Sequence, residues 1–147
     1  MKLRTLVFTI FLLLIFGNVV FAQARSSSAD NSNPAKATPA FAEVLLRKTE
    51  LESELEELLV SYKEEYPKVK DARYELSVLQ KELDRILKVK PAETGKLTTA
   101  LGKLMVRKAE IETDYWSLKN RYSDEHPQTK RAKRKLEIFD KAINEIM

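Results

Sequence analysis

His126 is the only imidazole among the 147 residues, and it stands between Asp124-Glu125 and Pro127. An imidazole beside carboxylates could shuttle protons or hold a metal, but both tasks need partners that converge from separate parts of a chain. Here the candidates are its own sequence neighbours, and the plainer reading is a solvated helix end. Cysteine is absent, so thiol nucleophiles, thiolate metal sites and disulfides are excluded. No catalytic, cofactor-binding or metal site is expected.

Four other groups of residues invite a functional reading. Lys48 and Lys108 interrupt otherwise apolar stripes, either as register-setting polar residues, as contacts for an anionic partner, or as snorkelling side chains whose stems cover the seam. Tyr62 and Tyr122 are a candidate binding pair, or aromatic residues that pack over a turn. Trp116 is either an exposed contact residue or a side chain buried between two helical units. Lys130, Arg131, Lys133, Arg134 and Lys135 form the one dense basic run, and we take them as the candidate contact for an anionic partner. The competing reading of that run is an ordinary solvated helix face.

The ends of the chain narrow the choice of partner. Met1-Lys2-Leu3-Arg4, the apolar run Leu6 to Phe16 and the small residues Ala22 and Ala24 read as a signal peptide over residues 1–24, with an uncleaved membrane anchor as the alternative. Export argues against nucleic acid. It leaves an envelope protein, acidic polysaccharide, anionic lipid, an unfolded client or the acidic Glu50 to Glu57 face of another copy. Residues 1–24 carry Lys2 and Arg4 and no acid, so residues 25–147 hold 24 basic and 22 acidic side chains and are nearly balanced. With only Gly95 and Gly102 after the leader, and abundant Glu, Lys, Leu and Ala, this composition belongs to long helices.

Residues 25–39, RSSSADNSNPAKATP, offer little to bury and are expected to be a disordered tether. Beyond them the chain repeats itself at an offset of 60: across the 43 pairs from Leu45/Met105 to Leu87/Met147, 13 are identical. Phe41, Val44, Lys48, Leu51, Leu55, Leu58 and Tyr62 step by three and four, as do Leu101, Leu104, Lys108, Ile111, Tyr115, Leu118 and Tyr122. A second stripe in each copy runs from Val69 to Ile86 and from Thr129 to Ile146. Pro67 and Pro127 stand between the stripes, and a proline is tolerated at the first position of a helix but not in its interior. The reading is all-α, with two tandem helical hairpins in a coiled-coil-like arrangement of four helices near 40–64, 67–90, 97–124 and 127–147. The hairpin repeats occupy 40–90 and 97–147, and 91–96 join them. Because the three-four phase passes both prolines without slipping, a kinked continuous helix remains the other geometry.

Tyr122-Ser123-Asp124-Glu125-His126-Pro127 resembles the Tyr-x3-His-Pro stretch in the periplasmic coiled coils of polysaccharide chain-length determinant and exopolysaccharide-export proteins. Tyr62 to Pro67 keeps the tyrosine and the proline but has Tyr66 in place of the histidine. The resemblance implies a helical hairpin outside the cytoplasm and covers about forty residues of each copy. A second membrane helix, a kinase domain and a globular membrane-proximal part are not found in these 147 residues, so polysaccharide chemistry does not carry over. The expectation is an exported, non-enzymatic protein with a structural or interaction role in the cell envelope, accessory to polysaccharide export. A periplasmic holdase chaperone with a basic helical surface is the alternative. A homo-oligomer through the helical seam fits either reading.

Overall fold

A computed structural model describes residues 33–147; the expected signal peptide and the first part of the expected tether lie outside them. Four long helices account for most of the described chain: α1 Pro39–Ser61, α2 Pro67–Leu87, α3 Thr99–Lys119 and α4 Pro127–Ile146. Pro67 and Pro127 occupy first helical positions, where the missing N–H has no partner to lose. α1 packs on α2, and α3 on α4. The chain therefore reverses at each proline, and the kinked rod is excluded over these residues.

The two reversals share two backbone hydrogen bonds and an aromatic stack. Tyr62 N donates to Leu58 O and Tyr122 N to Leu118 O, both at 2.8 Å; Tyr66 N reaches Lys63 O at 3.0 Å and His126 N reaches Ser123 O at 3.1 Å. Tyr62 stacks on Tyr66 with ring centroids 4.0 Å apart, and Tyr122 stacks on His126 at 4.3 Å. These stacks keep the four-residue side-chain spacing while the backbone turns, which is why the stripe reads through the prolines. The expected helix ends at 64 and 124 are a few residues late for the same reason. Tyr62, at φ −128° and ψ 152°, has already left the helix.

The expected tether 25–39 needs correcting over its last residues. Asn33-Pro34 and Thr38-Pro39 are two cap-and-proline pairs, each of which starts a helical turn. The first opens a 3-10 turn, Pro34–Ala37, and the second opens α1. Asn33 Nδ2 donates to Leu87 O at 2.7 Å and Ala35 is fully buried, so this segment is pinned to the end of α2. Polarity suggested disorder; the caps decide otherwise.

The linker Pro91–Lys96 is likewise a 3-10 turn. It delivers Leu97 into the core, where Leu97 O accepts from Ala40 N at 3.1 Å and ties one hairpin to the other. α3 then starts late, at Thr99, capped by Thr98 Oγ1 accepting from Leu101 N at 3.3 Å. Across the hairpins α3 packs on both α1 and α2, so three helices enclose the main core, which includes Val44, Leu51, Leu79, Ile86, Leu101 and Met105. α4 packs chiefly along α3. Its stripe is correspondingly less covered: Val69, Ala72, Leu79, Leu83 and Ile86 of α2 are buried, whereas in α4 only Thr129 and Ile143 are, and Ala132, Leu136, Phe139 and Ile146 are half-exposed.

Candidate interaction surface

The two stripe lysines part company in the folded chain. Lys48 pairs with Glu52 on its own helix. Lys108 instead sits at the junction of α2, α3 and α4, with Nζ 2.7 Å from Glu82 Oε1, 3.5 Å from Asp140 and 3.8 Å from Glu112. Burial alone pulls the lysine pKa down, but the bond to Glu82 and the charges of Glu82, Glu112 and Asp140 outweigh it and hold the group above its ordinary value. Glu82 Oε2 is buried without a hydrogen bond, with Arg85 Nη1 3.9 Å away. Of the readings weighed for Lys108, register-setting is the one that this geometry fits. The pair joins the two copies of the repeat, and at the position equivalent to Glu82 the second copy has Ala142.

A second cross-helix pair joins α1 to α2. Arg47 donates Nε to Glu75 Oε1 at 3.0 Å, and its Nη2 lies 2.9 Å from the same oxygen. Burial raises the Glu75 carboxyl above its ordinary pKa; the Arg47 charge and bond oppose this, and the nearby Glu110 and Glu54 reinforce it. In the second copy the partner of Arg107 at that position is Lys135, and Arg107 pairs with Glu110 on its own helix instead. Trp116 lies half-buried between the hairpins, stacked on Tyr74 of α2 at 4.6 Å and 9°.

All five residues of the basic run are exposed on the first half of α4. Arg131 and Lys135 border an open groove, floored by α3 and walled on its other side by Asp71 and Glu75 of α2. Lys130, Lys133 and Arg134 share an i, i+3, i+4 face; Lys130 pairs with Glu125, while Lys133 and Arg134 form no ion pair among the described residues. The groove itself carries acids as well as bases, with Glu110 and Asp114 lining it beside Arg107 and Arg121. Among the described residues Lys133 and Arg134 thus carry unpaired charge on the outward face of the helix, away from the acids of the groove.

His126 uses Nδ1 to accept from Gln128 N at 3.3 Å, capping α4. Its ring takes the place that Tyr66 takes in the first tip, so the Tyr-x3-His and Tyr-x3-Tyr motifs do the same structural work. His126→Tyr is expected to change stability by less than about 1 kcal/mol, since it exchanges a weak cap for a larger stacked ring. His126→Ala loses both and should cost about 1–2 kcal/mol in urea unfolding. A catalytic or metal-binding histidine would show the reverse tolerance, with tyrosine as damaging to function as alanine.

Among the described residues no group of three or more His, Asp or Glu could hold a metal, and no helix is long and apolar enough to cross a membrane. No family model matches this chain, nor does any curated protein or solved structure. The tip motif therefore has to be judged on its own geometry, which explains Tyr62, Tyr122, His126 and the prolines as parts of a turn. The Lys108–Glu82 pair was not legible beforehand: a glutamate on α2 gives no sign of burial until α3 lies across it.

Proposed function

We propose that this chain is an exported, non-enzymatic helical-hairpin protein with a structural or protein-interaction role in the cell envelope, docking an anionic partner on the basic face of α4. The observation that carries the reading is the outward face of α4: a dense cationic run on a helix packed along one neighbour, with Lys133 and Arg134 free of ion pairs among the described residues. The likeness of the tips to polysaccharide chain-length determinants points to polysaccharide export as the process in which it is accessory. The export itself rests on the N-terminal pattern of residues 1–24.

A holdase would call for a concave basic surface beside exposed apolar side chains. The groove bordered by Arg131 and Lys135 is mixed in charge, and none of the exposed Leu45, Leu46, Val60 and Ile138 is among its walls, Ile138 standing alone one turn beyond Arg134. The interaction reading is preferred on that ground.

The test is binding of an immobilised acidic polysaccharide by the wild type and by a variant with Lys130, Lys133 and Arg134 changed to Gln. Wild-type binding should weaken steeply with salt, because exposed charges are screened within about 10 Å at 0.1 M. The variant should lose binding yet keep its helicity and melting temperature, because these side chains are exposed. Binding by the variant as tight as wild type, or wild-type binding indifferent to salt, would reduce the run to a solvated face.

A further inference from the structure

The contact between hairpins within the chain joins a trailing face of one repeat to a leading face of the next. The trailing face is the i, i+4, i+8 row Tyr74, Val78 and Glu82 on α2. Tyr74 stacks on Trp116 and Glu82 pairs with Lys108, so Val78 between them, 1% exposed, also faces α3. The leading face is the row Met105, Ala109, Thr113 and Trp116 on α3, of which the first three are buried. Each face occurs a second time at the offset of 60, and there it is uncovered. On α1 the leading row is Leu45, Thr49, Ser53 and Glu56, all exposed. On α4 the trailing row is Arg134, Ile138 and Ala142, with Ile138 66% exposed where its counterpart Val78 is 1%.

We infer that these two uncovered faces fit each other in different copies: α4 of one copy docks on α1 of the next, head to tail, repeating between chains the contact that joins the hairpins within one. The inference rests on the reading of α4 as an interaction face, and it names a second copy of this chain as the anionic partner. Charge complementarity at matched positions carries it. Transposed by 60 residues, the Tyr74–Trp116 stack becomes Arg134 against Glu56, and the Tyr74–Glu112 contact becomes Arg134 against Glu52. Glu75 and Glu110, whose like charges oppose each other, become Lys135 and Glu50, which attract. Val78, buried at the internal contact, becomes the exposed Ile138, apolar still.

Two positions make the contact between copies looser than the internal one. Glu82 becomes Ala142, so no buried ion pair forms, and Gly102 becomes Ala42, whose methyl keeps the helix ends from approaching as closely. The association is accordingly reversible. Being heterologous, it grows into an open row of hairpins, as stacked helical repeats do.

Sedimentation velocity tests it. The mass of the wild type should rise with protein concentration and fall back with added salt. Arg134→Glu and Glu56→Arg should each weaken association by about tenfold or more, since each puts like charges face to face. Mixed in equal amounts, the two variants should associate again, because every contact in the alternating row pairs an arginine with a glutamate. Association that ignores both reversals, or fails to recover on mixing, would overturn the proposal. So would a wild type that sediments as a monomer at every concentration. Should that monomer still show salt-sensitive polysaccharide binding that the triple Gln variant lacks, the basic-face reading survives and self-docking alone falls.

Discussion

Replacing Lys108 with alanine is expected to cost about 3–5 kcal/mol of folding stability, the usual penalty for leaving one member of a buried ion pair alone. Glu82, with 4% of its side chain exposed, would keep only Arg85 at 3.9 Å, and Asp140 would lose its tie to α3. Urea unfolding followed by circular dichroism measures the loss. The double variant Lys108→Met, Glu82→Leu should recover most of it, because well-packed apolar residues of similar volume often replace a buried pair without penalty. Recovery would mean that the pair serves register more than stability. The pH dependence has a definite sign: the lysine pKa is raised on folding, so its contribution is complete below the ordinary lysine value of 10.5 and is lost as pH climbs through the folded value. A stability loss already present at pH 8 in the wild type would contradict this assignment.

Gly102→Val should be nearly as damaging, at about 3 kcal/mol, the upper end of what overpacking costs. A Cβ at this position would lie 2.7 Å from Glu43 Cβ and 2.9 Å from Ala40 Cα, and the second of these is backbone that cannot swing aside. Gly102→Ala meets the same obstacle but gains about 1 kcal/mol of helix propensity, so its net cost should be smaller. Gly95→Ala is the control. Nothing lies within 4 Å of a Cβ there, and stability should hold within about 0.5 kcal/mol. If Gly102→Val melts with the wild type, the close approach of α1 and α3 is not what seats the second hairpin on the first.

Both substitutions probe what repetition hides. Lys48 and Lys108 are identical in sequence, yet one pairs along its own helix and the other meets acids from three helices. Ala42 and Gly102 are equivalent by offset, yet only Gly102 lies under another helix, against Ala40 and Glu43.

By itself the sequence determined the local structure, because local structure depends on residues near each other in the chain. The three-four stripes specified helices, and the repeated Tyr-x3-aromatic-Pro tips specified two equivalent junctions, each a turn or a kink until the packing of α1 on α2 and of α3 on α4 made it a turn. Even the ordered start at Asn33 was written there, in two cap-and-proline pairs that the polar composition of 25–39 obscured. Only the tertiary structure decided which stripe would be covered and by what. α2 lies against both α1 and α3, so most of its stripe is buried; α4 lies chiefly against α3, so the equivalent stripe is buried only at Thr129 and Ile143 and its basic face stays free. Burial of a side chain is set by elements distant in sequence, and two copies of one pattern, placed inside and at the edge of a helical array, necessarily meet different neighbours.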